Sequence, residues 1–294
     1  MESAVLFSLT VISTFAFYAL LAWGLGLIFG QLNVVNVAHG DLAMVGAYTM
    51  FVLEPVIPFF PRILVALIVG LVVGLAAERL LLARLYAQGM LATLLAMWGV
   101  GIVLRQLAEA IFGPTPASVS APITGSIEVL GTTYPAYRLV AAALCLMIVA
   151  ACLATVFLTP LGLRLRASID NRSMAASLGI PPTRMITGAF MLGTTLAVLA
   201  GALQSPMLGV TPSAGVGLLA PAFFAVMLGR RGSMISPVVG AFVVALLDTV
   251  LRTFLPETAA GLIFFVALIA LIALRPQGLD WRFPSWKIPR TAIA

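Results

Sequence analysis

Charge is what this chain has least of. Only 9% of its 294 residues are Asp, Glu, Lys or Arg, while 62% are hydrophobic, and the mean hydropathy is +1.15. A soluble domain needs far more charge to cover its surface, and the little present here suffices only for loops and helix ends. There is one lysine, Lys287, and one histidine, His39. No G-x-x-x-x-G-K-[ST] run occurs, so nucleotide cannot be held by a P-loop. No Ser/His/Asp or paired-carboxylate pattern, no metal-ligand spacing and no buried acidic chain suited to a proton-driven pump is found. The expectation is a protein that is not an enzyme and has no cofactor and no metal. The two cysteines, Cys145 and Cys152, share one face of one apolar helix, cannot bridge along its rise, and read as small hydrophobes. Alternating ten-residue strands are also missing, which removes a transmembrane barrel. No basic n-region precedes the first apolar stretch, which is too long for a signal segment and is expected to remain as a span.

What is present is length in the apolar runs. Stretches of at least 18 apolar residues recur along the chain, the mark of a polytopic helical membrane protein. The expected fold class is all-α, an integral membrane bundle of about eight transmembrane helices in a single domain, 1–294. Spans are expected at 4–29, 42–54 (short), 62–83, 89–112, 137–159, 186–209, 236–255 and 258–275, with a short apolar piece at 216–229. The loop 113–136 has no Lys or Arg, the loop 160–185 has four Arg, and the tail 275–294 holds Arg275, Arg282, Lys287 and Arg290. The positive-inside rule then puts 113–136 outside and 160–185 and the tail in the cytoplasm. Arg79 and Arg84 mark another inner turn, and counting crossings back leaves the N-terminus outside. The net charge of +6 is therefore read as orientation and contact with anionic lipid in the bilayer, with no nucleic acid as partner.

The loop 160–185 breaks the hydrocarbon with Arg164, Arg166, Arg172 and Arg184 against one acid, Asp170. It encodes a short helix of its own. Asp170 and Asn171 suit its start, Met174–Leu178 its turns, Gly179 a left-handed stop, and Pro181-Pro182 bars continuation. A basic, capped helix between two spans is a docking element for a cytoplasmic partner. Two further stretches are too broken to be plain spans: Gln31–Tyr48, and Leu218–Gly240 with Pro221, Arg230-Arg231-Gly232-Ser233 and Pro237. In each, a break (Ala38-His39-Gly40-Asp41, or Arg230-Arg231-Gly232-Ser233) is followed by a Gly-Ala pair, at 46–47 and 240–241, a candidate internal repeat, and paired broken segments point to a central transport site.

The densest polar group near a span is Gln31, Asn33, Asn36, His39 and Asp41. These either line a translocation path or cap broken helices, with His39 filling a hydrogen-bond gap. Gln204, inside a span, either touches a solute or bonds a neighbouring helix. Arg105 with Glu109, and Asp248 with Arg252, are spaced for intrahelical ion pairs. Gly70 with Gly74, and more loosely Gly209 with Ser213, suit close helix crossing.

The run Gly26-Leu27-Ile28-Phe29-Gly30, then Asn36-Val37-Ala38-His39-Gly40-Asp41, then Gly46-Ala47-Tyr48 resembles the signature of LivH-type branched-chain amino-acid permeases, with Val37 where Phe is usual. Pro160-Leu161-Gly162, Arg164, Arg166-Ala167, Ala175 and Leu178-Gly179-Ile180 resemble that family's cytoplasmic coupling segment. Leu228-Gly229, Gly232-Ser233, Pro237, Gly240-Ala241 and Arg275-Pro276-Gln277-Gly278-Leu279 resemble its last third, while Arg230-Arg231 departs from it. The resemblance covers about residues 10–280.

It implies a transmembrane subunit of an ABC importer in a bacterial inner membrane. The implied partners are a second, LivM-like permease subunit, two cytoplasmic ATPase subunits and a periplasmic solute-binding protein. Arg164, Arg166, Arg172, Ala175, Ala176, Leu178 and Gly179 would then meet an ATPase, and Gln31, Asn33, Asn36, His39, Asp41 and Gln204 are the candidate path residues. The implied solutes are branched-chain or related amino acids, with urea, short amides or aromatic acids as alternatives. A different class, an ion-coupled secondary transporter using His39 and Asp41, stays open at this point, as does a scaffold without transport.

Overall fold

The computed structural model describes residues 2–32, 36–229 and 233–274. In chain order the elements are α1 (Glu2–Leu32), α2 (His39–Val52), α3 (Phe59–Ala76), a π-helical turn (Ala77–Leu82), α4 (Ala83–Leu85), a 3₁₀ turn (Tyr86–Gln88) and α5 (Met90–Phe112). A hairpin of β1 (Ser126–Val129) and β2 (Thr132–Pro135) follows, then α6 (Ala136–Leu158), α7 (Pro160–Asp170), α8 (Arg172–Ser177), α9 (Pro182–Leu208), α10 (Ala214–Leu228), α11 (Ser236–Phe254) and α12 (Glu257–Leu274). Seven of the described helical segments are long and apolar enough to cross a membrane. The expected short span at 42–54 is α2, whose 14 residues rise only about 21 Å, less than a bilayer core. That lowers the expected eight to seven full-length helices, with α2 and α10 as half-length pieces.

Helix α9 is the axis of the bundle, buried along most of its length and packed against α1, α2 and α3. Small residues make that packing possible. Gly70 and Gly74 of α3 lie against Thr195 and Met191–Thr194 of α9, as their spacing predicts. The second small pair does something else. Gly209 ends α9 at φ +73, Ser213 precedes α10, and the two bracket a turn, not a helix crossing. The two broken stretches do meet. Gly40 at the start of α2 lies against Leu219 of the second stretch and against the backbone of Gly215 just before it, and α10 in turn packs on α11.

The loop after α5 carries a structure that its composition hides. Ser126–Pro135 pairs antiparallel with Val129 opposite Thr132, and the turn puts Leu130 at φ 51 and Gly131 at φ 82. Two consecutive positive φ values are the geometry that matches the twist of a two-residue hairpin. The hairpin is tied to α1: Thr132 Oγ1 donates to Glu2 O at 3.3 Å, and Tyr134 OH and Ser13 Oγ are hydrogen-bonded at 2.8 Å. The N-terminal end of α1 thus lies at the same end of the bundle as the loop 113–136. Because α6 runs from that hairpin to Leu158, the α7–α8 loop lies at the other end.

Glu54 staples the same loop. Its Oε1 accepts from Ser120 N at 2.9 Å and its Oε2 lies 3.7 Å from Arg62 Nη1. Partial burial would raise its carboxyl, but the Ser120 hydrogen bonds and the Arg62 charge outweigh burial and hold it below the ordinary value of 4.5. A depressed carboxylate stabilises the fold above its unfolded value, and that contribution is lost as pH falls through the folded one. Protease cutting within 113–125 is therefore expected to accelerate below pH 4.5 in wild type, and to be already fast and pH-independent in Glu54→Gln. Equal pH profiles for the two would refute the staple.

Candidate functional site

A cleft of about 900 Å³ opens at the hairpin end between α1, α9, α10 and α11. Its polar wall is built at helical spacing. Thr10, Thr14 and Tyr18 come from one stripe of α1, and Asp248, Thr249, Arg252 and Thr253 from one face of α11. Polar residues this far along an apolar helix are tolerated where they face water or protein, and these face the cleft. Tyr18 OH donates to Asp248 Oδ2 at 3.1 Å, and Arg252 Nε donates to Asp248 Oδ1 at 2.8 Å. Arg252 also lies 3.5 Å from Glu257. Arg138 enters from the first turn of α6, with its guanidinium 5.7 Å from the centre of the Tyr134 ring. Gln204 reaches the cleft from the last turns of α9. Phe17, Met207, Leu208 and Leu218 supply apolar wall. Such a mixture suits a small solute with a charged head and an apolar tail.

Of the expected path residues, Gln204 lies in this cleft. Asn33 lies outside the described residues, as does the side chain of Gln31. Asn36, His39 and Asp41 are buried and do not line the cleft. They form the junction where α2 begins. His39 Nε2 is 3.1 Å from Leu21 O, which assigns the proton to that nitrogen. Asp41 Oδ1 is 3.3 Å from Arg105 Nε, and Gly101 leaves the room that Asp41 occupies. This corrects the pairing expected for Arg105: its acid is Asp41 on another helix, while Glu109 accepts from Gln106. The expected Asp248–Arg252 pair is present as read.

At the other end, the basic loop forms two helices, not one. Thr159 caps α7, accepting from Gly162 N at 3.3 Å, with Pro160 at the position where a missing N–H costs nothing. Asn171 caps α8, accepting from Met174 N at 3.0 Å. Gly179 closes α8 at φ +78, the left-handed stop that its sequence predicts. Of the residues expected to meet an ATPase, Arg164, Arg172, Ala176, Leu178 and Gly179 are exposed. Ala175 is 2% exposed and faces the bundle, and Arg166 is half-buried, lying 5.2 Å over the Phe157 ring. Met174 and Leu178, at 56% and 72% exposure, give α8 an apolar tip.

Sequence reading missed Arg138, Tyr18 and Thr249 as cleft residues. A basic residue in the first turn of a span is commonly an interfacial anchor, and that hides Arg138. The signal that was available is the i, i+4 polar stripe Thr10, Thr14, Tyr18 within a span.

A family described as the branched-chain amino acid transport system / permease component matches residues 7–273. The chain belongs to that family. Among curated members of this permease family, the chain is 25% identical over 284 residues to the high-affinity branched-chain amino acid transport system permease protein LivH of Escherichia coli strain K12, spanning 89% of this chain and 90% of that one. LivH of Salmonella typhimurium is 23% identical over 278 residues, spanning 89% and 90%. The permease BraD of Pseudomonas aeruginosa is 26% identical over 288 residues, spanning 92% of each chain. No solved structure matches this permease.

Proposed function

We propose that this chain is the membrane-spanning permease subunit of an ATP-driven importer for branched-chain or related amino acids. In this reading it lies in a bacterial inner membrane with the hairpin end outside and the α7–α8 end in the cytoplasm. It does no covalent chemistry. Two ATPase subunits, a second permease subunit and a solute-binding protein supply the energy, the other half of the pathway and the selection of solute. The observation that carries the reading is the α7–α8 loop, a capped pair of helices that leaves Arg164, Arg172, Met174 and Leu178 exposed. An exposed apolar tip on a basic loop fits a groove on an acidic partner. Closure of the ATPases on nucleotide would move this loop, and the spans joined to it would switch between two packed arrangements.

The test is co-purification of the solubilised chain with its native partners, in wild type and in an Arg172→Glu, Ala176→Glu variant. Both residues are exposed, so folding is expected to survive. ATPase subunits are expected with wild type, and at least about tenfold less with the variant, since two like charges are set into a contact. A wild-type chain that purifies alone and drives uptake on an ion gradient would overturn the reading.

A further inference from the structure

Four charged residues line the cleft: Glu2, Arg138, Asp248 and Arg252. Two of them satisfy each other. Arg252 is bonded to Asp248, and Asp248 also accepts from Tyr18. Arg138 is different. Among the described residues it makes no ion pair, and its Nε is buried without a hydrogen-bond partner. Nor is it loose, since its guanidinium lies over the Tyr134 ring and Tyr134 is in turn hydrogen-bonded to Ser13 of α1. A guanidinium offers a rigid planar fork of donors that matches a carboxylate. A positioned, half-buried fork with an unused donor is a receptor waiting for an anion.

Two neutral groups lining the same cleft are also unpartnered. Gln204 is 6% exposed and Thr249 is 5% exposed, and Gln204 Oε1 and Thr249 Oγ1 have no hydrogen-bond partner among the described residues. Buried polar atoms left alone cost free energy. In a pathway, that cost is relieved when a polar solute arrives. Gln204 Oε1 and Thr249 Oγ1 can both accept, as an ammonium requires. Phe17, Met207 and Leu218 add apolar surface to the same cleft for a hydrocarbon side chain.

We propose that Arg138 binds the carboxylate of a zwitterionic aliphatic solute in this cleft, with Gln204 and Thr249 receiving its ammonium group. The proposal rests on the importer reading and gives that reading its solute site. A lipid phosphate is the other anion a membrane guanidinium meets. A phosphate has no donor for the buried Gln204 Oε1, whereas the ammonium of the solute supplies one.

The probe is a diazirine analogue of leucine, photolysed with the complex purified from native membranes and mapped by mass spectrometry. Labelling is expected on the peptides carrying Phe17, Met207 and Leu218. Leucine should compete for it, and leucine amide, which lacks the carboxylate, should not. Arg138→Gln should lower it at least about tenfold, and Arg138→Lys less, because a point charge replaces the fork. Labelling that leucine amide competes away equally well, that is unchanged in Arg138→Gln, or that falls only on outward faces such as α12 overturns the site. The competition arm needs only wild-type protein, so a variant that fails to fold does not decide the matter. Cleft labelling in a complex without ATP-dependent leucine uptake would leave the site standing and remove the importer reading instead.

Discussion

Gly201→Leu is expected to lower the melting temperature of the solubilised protein by more than about 5 °C, against little change for Gly188→Leu on the same helix. The contrast is geometric. A Cβ on Gly201 would fall on the backbone carbonyl of Ala43, and one on Gly46 would fall on the carbonyl of Val198. So α2 and α9 touch main chain to main chain, in both directions. A flexible neighbour can swing aside from an added methyl group, but a backbone carbonyl moves only if its whole helix moves. Separating α2 from α9 opens the centre of the bundle, and cost then exceeds the usual overpacking range of about 1–3 kcal/mol. Gly188 has nothing within reach of its added Cβ. Thermal scans of the two variants beside wild type decide the point, and equal melting for Gly201→Leu and wild type would show that the helices are not in backbone contact.

The second large effect concerns the start of α2. Removing the guanidinium with Arg105→Leu leaves Asp41, whose side chain is 7% exposed, as a buried charge without its counter-ion. Breaking one side of a buried pair costs about 3–5 kcal/mol, whereas replacing both partners can be nearly neutral. Arg105→Leu is therefore expected to melt well below wild type, and Asp41→Asn with Arg105→Leu to recover most of the loss. Simple additivity in this cycle would mean that the two side chains do not interact.

The hydrocarbon lengths made most of this fold readable. Spans expected at 89–112 and 137–159 are found as Met90–Phe112 and Ala136–Leu158, because lipid demands a continuous apolar run and loops interrupt it sharply. The caps of α8 were readable for a similar reason: Asn171 and Gly179 act on backbone within a few residues. Arg105 shows where local reading stops. Its helix offers Glu109 at the right spacing, and only the packing of α2 against α5 brings Asp41 closer. The hairpin was hidden because Leu130 supplies a positive φ that sequence assigns to glycine or asparagine. In the cleft, Gln204 stood out as an amide within a span, whereas Arg138 joins the site only because the bundle brings α1, α9 and α11 around it.

Helix α9 begins at Pro182, four residues after Leu178 on the exposed tip of the loop, and ends at Leu208 beside Gln204. Its 27 residues make a rod about 40 Å long. A rod of that length is a lever: a tilt of about 5° about one end displaces the other by about 3.5 Å, more than the width of a hydrogen bond. With α1, α2 and α3 all resting on the same rod, a small push at the loop would reach the cleft as a stroke.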